Sequence, residues 1–151
     1  MSDPPVGLVE EILVGDAART PPRFVASASA VAGRGLVGDR YYSRMGTWSD
    51  YPDQTGVHLT LIEGEVLEAV GLTGAEARRN VVTRGIRLNE LVGRRFSIGP
   101  IVCAGIRLCE PCTYLSQLTR IPVDALVHRG GLRADILSGG EIAVGDLVVV
   151  I

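Results

Sequence analysis

The chain has no lysine: all 15 of its basic side chains are arginine. Without a side-chain amine no internal aldimine can form, so covalent pyridoxal-phosphate catalysis is excluded. A genome-wide codon preference would produce the same deficit, and the chemical exclusion holds under either cause. Long apolar runs are also missing. No stretch approaches the ~18 consecutive apolar residues of a membrane-crossing helix. Met1 to Val9 carries two prolines and no basic residue, unlike an export signal. Cysteine is sparse and odd in number, with three in the chain, which fits reduced thiols in a cytoplasmic protein. No excess of either charge exists: 15 basic against 17 acidic residues leave −2, which argues against nucleic acid as the main partner.

What is present describes a single soluble domain over residues 1–151. Hydrophobic residues make up 46% and charged residues 21%, enough for one closed core and too apolar for disorder. Strand patterns dominate: Val6–Val14, Phe24–Ala30, Val57–Ile62, Asn80–Thr83, Arg95–Ile98, Ile101–Leu108, Leu132–Leu137 and Gly145–Ile151. Short helices are expected at Glu63–Val70, Tyr114–Leu118 and Val123–Val127. Phe96–Val102 and Ile142–Val148 share one pattern, apolar–x–apolar–Gly–x–apolar–apolar, which reads as strand, glycine turn, strand. With 19 glycines and many short strands, a closed, strongly bent barrel fits better than a parallel α/β sheet. Gly33-x-Gly35 lacks the third glycine and following helix of a dinucleotide fingerprint. Gly33 to Pro52 holds four glycines, three arginines, three tyrosines and the sole tryptophan without periodicity, which marks a long loop. Its composition suits an ordered pocket wall.

The strongest local chemistry is Cys109-Glu110-Pro111-Cys112, between an apolar strand and an expected helix. Pro111 suits a helix entry, and Cys112 would sit in the first turn, where the dipole and unpaired N–H groups favour a thiolate. Such a thiolate serves as a nucleophile, a sulfur carrier or a soft-metal ligand. Zinc would need two further ligands that the spacing of Cys103, His58 and His128 does not supply. A thioredoxin-like pair lacks its βαβ setting. Two small buried hydrophobes would be the bland outcome, and Cys103, in mid-strand, reads as core. Arginines gather at loop ends: Arg40 after Gly38-Asp39, Arg78 and Arg79 before Asn80, Arg84 before Gly85, and Arg129 before Gly130-Gly131, a candidate anion nest. Taken singly, each reads as a solvated charge. His58 reads as an ordinary satisfied histidine, and Asp39 as a residue that fixes its own loop by accepting backbone N–H groups.

In order along the chain stand Gly38-Asp39-Arg40-Tyr41, Leu59-Thr60-Leu61-Ile62-Glu63, Arg79-Asn80-Val81-Val82-Thr83-Arg84-Gly85, Asn89-Glu90-Leu91-Val92-Gly93, Cys109-Glu110-Pro111-Cys112, Arg129-Gly130-Gly131 and Gly145-Asp146. This series resembles the MOSC domain, found at the C-terminus of molybdenum-cofactor sulfurases and in the mitochondrial amidoxime-reducing component. The resemblance spans about Gly33 to Val150. It implies a mainly β fold: a closed or partly closed β-barrel of mixed topology, related to the barrel of pyruvate kinase, with two or three short helices. It also implies that Cys112 is the reactive cysteine, either a persulfide carrier or a molybdenum ligand. Arg78 and Asn80, with Thr83 beyond, match the element that contacts molybdopterin, and Gly38, Asp39 and Arg40 match the Gly-Asp-Arg loop. Family members that act as sulfurases or reductases carry an N-terminal partner domain that this sequence does not include, so partial cofactor binding or a borrowed partner is implied.

Three readings follow. In the first, a MOSC protein handles the molybdenum cofactor or its sulfur through Cys112, while Arg129, Gly130 and the other arginines hold the pterin phosphate. In the second, Cys109 and Cys112 form a thiol–disulfide or sulfur relay without pterin. The third is a non-catalytic oxyanion or small-ligand binding module. Expected partners are a small-molecule cofactor or substrate and a sulfur-donor protein or partner domain, with no nucleic acid and no membrane.

Overall fold

A computed structural model describes residues 6–16, 21–40, 42, 55–109 and 128–151. Its strands are β1 (Val6–Val14), β2 (Arg23–Val25), β3 (Ser27–Val31), β4 (Gly35–Leu36), β5 (Leu59–Glu63), β6 (Val81–Arg84), β7 (Arg95–Ile98), β8 (Ile101–Leu108), β9 (Leu132–Ser138), β10 (Gly140–Ala143) and β11 (Leu147–Val150). Two short helices, α1 (Gly64–Val70) and α2 (Gly74–Ala77), lie between β5 and β6, and Leu88–Leu91 forms a 3-10 turn.

Seven strands close a barrel in the order β11-β7-β8-β9-β5-β6-β1, with β1 returning to β11. Closure depends on β1 being shared. Its first residues pair with β11 (Val6↔Val149 to Leu8↔Leu147), and its last pair with β2 (Ile12↔Val25 to Val14↔Arg23). Between them, a bulge between Val9 and Glu11 against β6 bends the strand. The pairing of β5 with β6 is parallel, which requires a crossover, and α1 and α2 supply it. Every other barrel pair is antiparallel, so the topology is mixed, as the resemblance implies.

Two apolar clusters result among the described residues. The barrel interior holds Val9, Ile12, Leu59, Leu61, Val81, Phe96, Ile98, Cys103, Leu132, Ala134, Ile136 and Val148. The small sheet β10-β3-β4 adds Ala28, Ala30, Leu36 and Ile142 to the same cluster. Outside the wall, Leu13, Ile62 and Val82 meet Leu67, Leu72 and Ala77 of the crossover. Thus β5 is buried on both faces from Leu59 to Ile62, although its sequence alternation alone suggests one wet face. Phe24–Ala30 divides at Ala26, where the chain leaves β1 for β10 and the Ala26 carbonyl accepts the Val144 N–H at 3.0 Å. The long loop after Gly33 opens with the short β4, and residues 43–54 lie outside the described part. The same is true of the expected helices at Tyr114–Leu118 and Val123–Val127. No helix among the described residues is long and apolar enough to cross a membrane.

Candidate functional site

The short α2 begins with a reciprocal cap: the Thr73 hydroxyl accepts the Glu76 N–H at 3.2 Å, and the Glu76 carboxylate accepts the Thr73 N–H at 3.0 Å. It ends at Arg78, whose left-handed backbone (φ 61°) reverses the chain into β6. Among described residues only Arg78 and His128 carry a side chain at positive φ, and both border the candidate site.

Two residues later Asn80, 1% exposed, joins three strands. Its Oδ1 accepts the Thr60 N–H at 3.0 Å and the Thr60 hydroxyl at 3.1 Å. Its own N–H donates to the Thr60 hydroxyl and carbonyl, both at 3.0 Å. Its Nδ2 donates to the Leu13 carbonyl at 3.2 Å, while the Asn80 carbonyl accepts the Leu13 N–H at 2.7 Å. An amide oxygen has two lone pairs, and here both are occupied within the fold. Thr83, fully buried on β6, points its hydroxyl toward the Ile62 carbonyl at 3.5 Å.

Gly38-Asp39-Arg40 folds onto the end of β1. The Asp39 carboxylate accepts the Gly15 N–H at 2.9 Å, and the Arg40 N–H donates to the Gly15 carbonyl at 2.6 Å. Asp39 therefore fixes its loop in the manner read from the residues alone. Arg40, 6% exposed, lies with Nη1 3.5 Å from the Asp39 carboxylate and donates from Nη2 to the Arg78 carbonyl at 3.4 Å. The Arg40 guanidinium is thus buried between a carboxylate and a carbonyl.

Arg79 extends this chain in the other direction. Its Nε donates to the Gly130 carbonyl and its Nη1 to the Ala77 carbonyl, both at 2.9 Å. The Gly130 turn is gripped on two further sides: Asn89 donates to the His128 carbonyl at 2.8 Å, and the Gly131 carbonyl accepts the Cys109 N–H at 2.8 Å. Gly131 lies at φ 103°, and a Cβ there would stand 1.9 Å from the Leu61 carbonyl oxygen. Only glycine lets the backbone approach β5 so closely. Arg129 is exposed and Gly130 buried.

The structure thus brings Asp39, Arg40, Arg78 and Gly130 into one run of hydrogen bonds and chain neighbours, through Arg79, that ends at Cys109; Gly38, Asn80 and Arg129 each adjoin a member of it in sequence. Thr83 sits farther along β6, in the wall rather than the run. Cys112 lies outside the described residues. Cys103 is core, as its mid-strand position suggests: burial, with a smaller push from Asp135, raises its thiol to about 12. Cys109 is a free thiol and 2% exposed. Sequence reading placed Arg79 among the arginines at loop ends and Thr60 within the resemblance, but gave neither a role in the site. A lone polar residue in an otherwise apolar strand was the available sign for Thr60. Arg79 had none beyond its place next to Arg78.

No family model matches this chain, and no curated protein sequence does either. Solved structures do. YuaD of Bacillus subtilis superposes with a TM-score of 0.78 at 14% identity, covering 99% of this chain and 98% of that one. YiiM of Geobacillus stearothermophilus gives 0.70 at 14% identity over 96% of this chain and 75% of that one. YiiM of Escherichia coli gives 0.65 at 15% identity over 95% and 69%. At such identities the likeness is one of fold, and it is consistent with a MOSC-like small barrel.

Proposed function

We propose that this chain is a MOSC-type protein that holds the molybdenum cofactor, or carries its sulfur, at Cys112. The observation that carries the reading is the run of hydrogen bonds and chain neighbours from Asp39 to Gly131, which joins separate sequence elements of the resemblance and leads to the first cysteine of the motif. The donor set suits an anionic phosphate. Arg79 reaches the Gly130 turn, Arg129 stands on it, and the close approach of Gly131 to the Leu61 carbonyl seats that turn against β5. Arg78, Arg129 and Gly130 would hold the phosphate of the pterin, with Gly38 and Arg40 at its border. Asn80 and Thr83 would keep that frame in register. When bound, the cofactor would supply a redox-active metal with an affinity for soft thiolate ligands. In sulfur carriage, the Cys112 thiolate would attack the outer sulfur of a donor persulfide. The donor S–S bond breaks, the donor leaves as a thiolate, and Cys112 gains one sulfur.

The enclosure of Cys109 favours Cys112 acting alone over a relay that uses both thiols. Protein purified from a host that makes the cofactor should contain molybdenum and pterin, or a Cys112 mass raised by one sulfur after exposure to a persulfide donor. Cys112→Ser should lose both signals. Retention of either signal in that variant, or absence of both from the parent protein, refutes the reading.

A further inference from the structure

The ladder between β5 and β9 runs Leu61↔Leu132, Thr60↔Arg133, Leu59↔Ala134 and stops there. Beyond it the two segments no longer exchange main-chain bonds; each uses a side chain to take the other's N–H. The Ile136 N–H donates to His58 Nδ1 at 3.0 Å, and the Gly56 N–H donates to Asp135 Oδ1 at 2.7 Å. The two accepting atoms lie 3.6 Å apart. We propose that His58 and Asp135 form a proton-operated catch at the entry to β5, closed by neutral His58 and opened when the imidazole is protonated.

The reasoning is one of donors and acceptors. Imidazole accepts at Nδ1 only when neutral with its proton on Nε2, so the Ile136 bond specifies that state. A second proton turns Nδ1 into a donor. Ile136 N–H then faces another N–H, and the imidazolium turns to Asp135, the carboxylate already engaged by Gly56. One proton therefore weakens both halves of the catch. Burial pushes His58 below its ordinary value, and the Asp135 charge pulls it partly back. The other charged groups at this corner are cationic. Arg107 on β8 donates to the Thr55 carbonyl at 2.6 Å, and Arg133 on β9 lies against Gly56; both oppose an imidazolium. The Cys103 thiol on the inner side of β8, raised to about 12, stays neutral. A histidine depressed in the folded state contributes stability above about 6.5, and that contribution is lost as pH falls toward the folded value. Thr60, two residues on, holds Asn80, so the catch borders the frame of the candidate site without depending on the cofactor reading.

The test is amide exchange and ring titration by NMR on the 15N-labelled full chain from pH 8 to pH 5. Protection at Ile136 and Gly56 should fall together by about tenfold, the size expected for one lost hydrogen bond. Its midpoint should coincide with the His58 ring and lie below about 6.5. Amides of Phe96 and Val148, across the barrel, should keep their protection. In His58→Gln the side-chain carbonyl still accepts but does not titrate, so Ile136 should stay protected throughout. Asp135→Asn should keep the transition and move it to lower pH. Flat Ile136 protection across the His58 titration overturns the catch. A parent-like transition in His58→Gln, or its loss in Asp135→Asn, does the same.

Discussion

Asn80 shows how a residue singled out for chemistry can act through architecture. The resemblance made it a cofactor contact, and its polar atoms bind β1 and β5 to the start of β6. Asn80→Ala should cost about 3 kcal/mol in urea unfolding, because it removes several buried bonds and leaves the Thr60 N–H without its acceptor. Asn80→Asp keeps the acceptors, loses the donor to Leu13 and buries a charge, so it should be destabilised most at neutral pH and regain stability on acidification. An unfolding free energy unchanged by either substitution would show that the clasp is dispensable. Gly131→Ala meets the Leu61 carbonyl and an unfavourable φ together, and about 3 kcal/mol or more should be lost. Asp39 was legible because a carboxylate after glycine in a turn has few other uses. For Thr60 only its polar place in an apolar strand was visible; its partner lies 20 residues away, and that pairing leaves no local sign.

At the level of elements, most strands could be read from apolar patterning: β1, β7 and β8 have the bounds that pattern predicts. The repeated strand–glycine–strand motif also appears twice, yet with different partners. β7 turns directly back on β8, whereas β10 joins the small sheet and β11 closes the barrel. Local sequence dictates the turn, and long-range packing chooses the neighbour. Among the missed elements is α2, only four residues long, although Thr73-Gly-Ala-Glu76 is a capping-box pattern in plain view. Thr73→Ala should destabilise the domain by about 1 kcal/mol in the same unfolding assay. It should also loosen the Arg78 turn, read as faster exchange at the Arg78 amide. An unchanged Arg78 amide would mean that the strand, not the cap, sets that backbone.

For the whole molecule, the mixed barrel follows from one fact: two helices cover the outer face of β5 and β6, so those strands can be parallel and apolar on both sides. Burial on both faces hid this from a reading that looks for alternation. Half-buried Glu63, at the end of β5, meets the 3-10 turn instead. Burial raises its carboxyl above the ordinary range, while the Leu88 N–H, 3.3 Å away, pulls it back. A raised carboxyl favours the protonated fold, so this group weakens the domain at neutral pH and less so as pH falls. Glu63→Gln keeps an acceptor for Leu88 and should raise the melting temperature at pH 7 but not at pH 4; an equal shift at both would remove burial as the cause.

The most direct measurement is a pH–rate profile for iodoacetamide labelling of the native protein, mapped by mass spectrometry. The account predicts that Cys112 reacts first, with an apparent pKa below the free-cysteine value of about 8.5. Cys103 and Cys109, both buried, should react only after denaturation. Labelling of Cys109 ahead of Cys112, or a Cys112 no faster than in the unfolded chain, would contradict it.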